Sequence, residues 1–162
     1  MDNKDLKLLS LLQQDGRITN QALAEKVALS PSACLARVKS LQDKGYIEGF
    51  RTKVRLEKLG PVLMAFMEVT LGNHHPADFK KFEKYIDQIE EIVESFVVGA
   101  HFDYLIQIVV SDMTELRDLS NQLLEADLGV IKLNTLPVID RNKAFCGYPL
   151  KKLSRYHFEE SS

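Results

Sequence analysis

Thr19-Asn-Gln-Ala-Leu-Ala-Glu-Lys-Val-Ala-Leu-Ser-Pro-Ser-Ala-Cys-Leu-Ala-Arg-Val-Lys-Ser-Leu41 reads as two short helices joined by a tight turn. Thr19 is an N-cap residue type, and Leu23 and Val27 lie four apart on one face with Ala24 beside them. Only Ala28 and Leu29 separate this helix from a second start signal, Ser30-Pro31. Ser serves there as the cap, and Pro occupies the first helical position, where its missing N–H costs no hydrogen bond. Gly45 supplies the left-handed residue that ends the helix. Upstream, Leu6, Leu8, Leu9, Leu11 and Leu12 crowd one side of a further helix, with Asp2 or Asn3 as its cap and Asp15-Gly16 as its stop. Three short helices so closely joined form a helix-turn-helix pattern.

At 100° per residue, the third helix places Cys34, Val38 and Leu41 together, with Leu35 at the margin, as its core face. The opposite side carries Ser32, Ala36, Lys39 and Ser40, flanked by Ala33 and Arg37. Small side chains permit close backbone approach, so in a major groove this face would bring Ser and Arg donors to base edges, with the helix N-terminus near Ser30 facing a phosphate. A solvated helix face is the alternative. From Tyr46 the period changes to two, and Arg51, Lys53 and Arg55 share one face of an expected wing or linker strand. Those cations either touch flanking phosphates or keep a sheet edge soluble.

From Pro61 onward the pattern predicts strand 62–71, helix 76–88, strand 92–98, strand 104–110, helix 113–126 and strand 130–145. Phe79, Phe82, Tyr85, Ile86 and Ile89 form the apolar face of the first of these helices, and Leu116, Leu119, Leu123 and Leu124 that of the second. The expected fold class is α+β: an N-terminal winged helix-turn-helix, residues 1–60, followed by a ferredoxin-like β-α-β-β-α-β domain, residues 61–162. Helices would cover one sheet face. The other face, apolar in stretches such as Phe96-Val97-Val98 and Ile106 to Val110, needs a partner subunit as its cover.

The chain has 162 residues, 45% hydrophobic and 27% charged, the composition of a folded globular protein. Residues 1–60 carry 11 basic and 7 acidic side chains, a net +4, and residues 61–162 carry 10 and 16, a net −6. A basic module beside an acidic one fits a first half that faces a polyanion. No apolar run approaches the roughly 18 residues of a membrane helix, and Met1 opens onto Asp2 and Lys4 without an apolar signal segment. The expected location is cytoplasmic, with no membrane partner. Cys34 and Cys146 have no ligand or redox spacing and are expected as buried thiols. His74, His75, His101 and His157 complete no metal pattern and read as surface-loop residues. Neither a phosphate-binding glycine fingerprint nor a nucleophile elbow is present, so catalytic residues, cofactors and metals are not expected.

Five segments carry a family resemblance: Asp15-Gly-Arg-Ile-Thr-Asn20, Leu23-Ala-Glu-Lys-Val-Ala-Leu-Ser-Pro31, Cys34-Leu-Ala-Arg-Val-Lys-Ser-Leu41, Gly45-Tyr-Ile47 and Phe102-Asp-Tyr-Leu105. In order and spacing the chain resembles the Lrp/AsnC, or feast/famine, family of bacterial and archaeal regulators. The resemblance implies a DNA-binding transcriptional regulator, associated with the nucleoid, whose second domain (the RAM or ACT-like domain) senses an amino acid or related metabolite. It further implies homodimers, often assembled to octamers, and double-stranded promoter DNA as partner. Carried onto matching positions, DNA contact falls to Ser30, Pro31, Ser32, Ala33, Ala36, Arg37, Lys39 and Ser40. Effector contact falls to Ala100, His101, Asp103, Tyr104, Met113, Leu136 and Val138. Ala33 and Ala36 stand where relatives commonly carry Pro and a charged residue, and Ala100-His101 where a Gly and an acid are usual. Sirohaem decarboxylase subunits share the two-module plan, and an enzyme with His101 serving a tetrapyrrole is the alternative function.

Overall fold

The computed structural model describes residues 1–153. The chain divides into two compact units. Among the described residues, one contains 1–53 together with 143–153, the other Val54–Asn142, whereas the sequence suggests a single boundary near Gly60.

In the first unit, α1 (Asn3–Gln14), α2 (Asn20–Val27) and α3 (Pro31–Asp43) each begin on a side-chain cap. Asp2 Oδ1 accepts from the backbone N–H groups of Lys4 and Asp5 at 2.8 and 2.9 Å, and Asp5 Oδ2 accepts from Asp2 N at 2.8 Å, a reciprocal capping box. Thr19 Oγ1 accepts from Ala22 N and Ser30 Oγ from Ala33 N, both at 3.2 Å. Each cap satisfies a donor that helix geometry leaves without a partner. The α2–α3 joint is short because Ala28 takes a left-handed conformation, φ 53°, and Gly45 closes the α3 end at φ +75°. Leu8, Leu23, Ala24, Val27, Cys34 and Leu41 form the core. The C-terminal segment joins this unit through Gln13, whose side-chain amide donates to Tyr148 O at 2.9 Å and accepts from Tyr148 N at 3.0 Å. A short α6 (Leu150–Leu153) follows.

The second unit is an antiparallel four-stranded sheet in the order β2-β3-β1-β4, with β1 Leu63–Leu71, β2 Ile92–Val97, β3 Tyr104–Val110 and β4 Val130–Pro137. Ala65, Met67, Val69 and Leu71 of β1 and Ile106, Ile108 and Val110 of β3 point to the helix side. There they pack on Phe82 and Ile86 of α4 (Pro76–Ile86) and on Leu116, Leu119 and Leu123 of α5 (Met113–Glu125). The strict period of two along β1 and β3 thus assigns one face to the core. The other face carries Met64, Phe66, Glu68 and Thr70, opposite Leu105 and Gln107 on one side and Leu136 and Asn134 on the other. The helices of this unit, α4 and α5, pack on the opposite face, and no helix of the described residues is long and apolar enough to cross a membrane.

Four details of the sequence reading are corrected. Residues 46–55 form no strand, because a ladder needs a hydrogen-bonded neighbour and no described residue supplies one. The last strand stops at Pro137 rather than Phe145: Val138 N donates once more, to Met64 O at 2.8 Å, and β1 then offers no further partner. Leu124 is exposed at the edge of the α5 stripe. Cys34 is buried, which raises its thiol pKa, but Cys146 is exposed.

Candidate functional site

The outward face of α3 is built by the same periodicity that fills the core. With Cys34 and Leu41 turned inward, Ser32, Leu35, Ala36 and Lys39 fall on one exposed stripe, and Ser30 and Pro31 stand exposed at its N-terminal end. Ala33 and Ser40 flank it, half-buried. Ser30 and Ser32 hydroxyls lie 3.2 Å apart, and Asn20 Nδ2 donates to Pro31 O at 2.8 Å, fixing the start of α3 against α2. The result is a helix N-terminus with two hydroxyls and, two turns further along the same stripe, an ammonium group presented to solvent, the chemistry that anchors phosphates and base edges.

Two residues differ from the sequence reading. Leu35 is 60% exposed and belongs to the outer stripe, not the core margin. Arg37 is turned to α1: its Nη1 donates to Asp2 Oδ2 at 2.8 Å and to Asp5 Oδ1 at 2.7 Å. Asp5 and then Asp2 raise the guanidinium pKa, and the Asp5 N–H, assisted by Arg37, holds the Asp2 carboxyl below its ordinary value. Arg37 therefore ties α3 to the capping box of α1. Its position on the helical wheel was the available signal: at 100° per residue it lies about 65° from the Cys34-Val38-Leu41 direction, nearer the core than Leu35 at about 95°.

The residues expected to hold the effector lie at different levels of the sheet. Ala100, His101 and Asp103 occupy the β2–β3 connection and Tyr104 begins β3. Leu136 and Val138 lie at the end of β4, and Met113 opens α5 just after β3 ends. The full length of β3, about 20 Å at the usual rise per residue, separates Tyr104 from the Met113 end, whereas Leu136, level with Gln107, lies only about 10 Å further along the strand direction than Tyr104. Asp103 is bound in place: its Oδ2 accepts from Leu71 N at 2.8 Å and its Oδ1 lies 2.9 Å from His74 Nε2. Its backbone N–H also donates to Val69 O at 2.9 Å, so this carboxylate clasps the end of β1 to the start of β3. Tyr104 is buried, with its ring 4.6 Å from that of Phe82 and its hydroxyl donating to Glu83 Oε1 at 3.1 Å. Burial and the Glu83 carboxylate push its phenol pKa well up.

Of these residues Tyr104 alone lines the open groove of 380 Å3 between α4 and β2, beside Glu83, Asp87 and Glu94. His101 stays exposed, edge-on to Phe102 and 3.9 Å from Glu68 Oε2, which also accepts from Asn134 Nδ2 at 2.8 Å. His74, Glu68 and Asn134 thus join the expected site, although nothing in their spacing along the chain announced it; His157 lies outside the described residues. Among the described residues there is no group of three or more His, Cys, Asp or Glu able to hold a metal ion.

Comparison with known proteins assigns the same two parts. Residues 1–48 match a winged helix-turn-helix DNA-binding model, and residues 64–145 match the Lrp/AsnC ligand binding domain. The leucine-responsive regulatory protein of Haemophilus influenzae is 39% identical over 143 residues, covering 88% of this chain and 86% of that protein. The leucine-responsive regulatory protein of Escherichia coli strain K12 is 36% identical over 143 residues, covering 88% and 87%. A transcriptional regulator from Neisseria meningitidis, solved as its L-Met complex, superposes with a TM-score of 0.86 at 31% identity, over 94% of this chain and 99% of that one. With helix-turn-helix, sheet order and full-length relatives in agreement, the chain belongs to the Lrp/AsnC family of DNA-binding transcriptional regulators.

Proposed function

We propose that this regulator binds promoter DNA sequence-specifically through the outer stripe of α3 and adjusts that binding to the level of an α-amino acid or a close metabolite. The carrying observation is a fully capped three-helix unit that leaves Ser32, Leu35, Ala36 and Lys39 outward at helical spacing. In this reading Ser30, Pro31, Ser32, Ala33, Ala36, Lys39 and Ser40 lie against DNA, and Arg37 acts as a positioning residue that fixes α3 on α1.

The effector is expected between chains. One chain presents Ala100, His101, Asp103 and Tyr104 at one sheet end and Met113 beyond the other, with Leu136 and Val138 at intermediate levels on β4. A pocket made by the loop end of one copy and the α5 end of another would unite them. It would also couple binding to assembly, since a ligand shifts an equilibrium only by its differential affinity for the two states. The uncovered sheet face, with Met64, Phe66, Phe96, Leu105 and Leu136 among its polar residues, supports a homodimer, with octamers as the expected higher assembly. The L-Met complex of the Neisseria relative supports an amino acid as effector class. The function is regulatory rather than enzymatic and is expected in the cytoplasm at the nucleoid. The relatives found are regulators, and nothing favours the tetrapyrrole alternative.

The test is binding of the purified protein to its own upstream DNA at two salt concentrations, with and without each of the twenty amino acids. Specific, salt-weakened binding that one or a few amino acids change is the expected result. Absence of duplex binding at low salt contradicts the proposal.

A further inference from the structure

The outer stripe of α3 contains one residue that the polar chemistry of DNA anchoring leaves unexplained. Leu35 is 60% exposed, although the neighbouring leucines of the same unit, Leu23 and Leu41, are 2% and 3% exposed. The unit's exposed aromatic residues Tyr46 and Phe50 at least border a groove that also includes Phe145 and Tyr148. Leu35 instead stands on the stripe with Ser32 three residues before it, Ala36 beside it and Lys39 four residues after it. Along the helix the order is polar, apolar, polar, each step one turn apart.

A duplex is the occupant that fits this order, because the first 60 residues carry a net +4 and the stripe places a hydroxyl and an ammonium group around the apolar pair. In a major groove each base edge offers acceptors or amino donors, and only thymine adds a methyl group. An isobutyl side chain has no donor or acceptor. Against guanine, cytosine or adenine it would leave their polar edges without partners, whereas against thymine it covers the methyl. Resting on the reading of α3 as the groove-entering helix, we infer that Leu35, with the Ala36 methyl beside it, is a specificity-determining residue that reads a thymine C5-methyl. Arg37 is held on α1 by Asp2 and Asp5.

The experiment begins with selection of binding sites from randomised duplex DNA by the full-length protein. Each recurrent dT of the enriched site is then replaced singly by dU, which removes one methyl and leaves every hydrogen-bonding group in place. At one position or more, wild-type affinity falls about fourfold, the equivalent of ~0.8 kcal/mol for one buried carbon. Leu35→Ala binds the dT duplex more weakly than wild type and no longer distinguishes it from the dU duplex. Because the dU arm needs no variant, a folding defect in Leu35→Ala cannot mimic the result. Equal wild-type affinity for dT and dU at every position overturns the inference while leaving DNA reading by α3 intact. A wild-type dT/dU ratio retained by Leu35→Ala overturns it as well. Failure to enrich any sequence overturns the underlying reading of α3, and the inference falls with it.

Discussion

The α3 stripe and the β2–β3 loop treat their functional residues in opposite ways. On α3 the polar residues Ser32 and Lys39 are exposed and contribute nothing to the core, so their chemistry is available to a partner. At the loop, Asp103 and Tyr104 are already committed, one to Leu71 N–H and His74, the other to Phe82 and Glu83. The difference teaches that a helix can separate packing from recognition by face, whereas a tight connection at a sheet end must use the same side chains for both. Substitutions in the loop therefore alter folding before they reveal anything about effector binding, and substitutions on the stripe do not.

That contrast is most strongly tested where the loop meets the core. Phe82→Ala removes a fully buried ring beneath Tyr104 and should cost about 3–5 kcal/mol, read from urea unfolding of the full chain. A cost near zero would mean that the Tyr104 environment is not packed as described. Asp103→Ala leaves the Leu71 N–H without its acceptor in a half-buried position and should cost about 1–3 kcal/mol. Asp103→Asn keeps an acceptor oxygen and should recover part of that stability. If both variants unfold like wild type yet lose effector response, Asp103 is a ligand contact and not a clasp.

Smaller effects are expected at the α1–α3 junction. Arg37→Ala should lower the melting temperature by less than Asp103→Ala, with the difference from wild type shrinking as salt is added, because the ion pair is partly solvated. The Asp2 carboxyl, held low by the Asp5 N–H and by Arg37, stabilises the folded state above the ordinary aspartate pKa of about 4. That contribution is lost as pH falls through the depressed folded-state value. A carbon-detected NMR titration should place Asp2 below an ordinary aspartate, and in Arg37→Ala the depression should shrink. An Asp2 titration at the ordinary position would show that the capping box does not form in solution.

The fold was largely legible because its signals are local. Thr19, Ser30-Pro31 and Gly45 mark helix ends by their own stereochemistry, and the alternation in Leu63–Leu71 and Tyr104–Val110 assigns the strand faces. The site was legible only as far as local rules reach. Arg37 meets Asp2 and Asp5 across more than 30 residues, and Asp103 meets Leu71 and His74 across 32 and 29, distances at which periodicity carries no information. The expected strand after Tyr46 has alternation but no neighbour among the described residues, so pattern without a partner gave no ladder. Leu35 was misplaced because leucine near a core face is usually core, although its angle on the helix pointed outward.

The most direct test of the account is the salt dependence of specific duplex binding by wild type, Lys39→Ala and Asp103→Asn, measured with full-length protein. If recognition resides on the α3 stripe, Lys39→Ala lowers the slope of log affinity against log salt by about one for each subunit in contact with the duplex, and Asp103→Asn leaves it unchanged without effector. A slope unaltered by Lys39→Ala, or altered more by Asp103→Asn, would place DNA contact elsewhere and contradict the division of labour between the two regions.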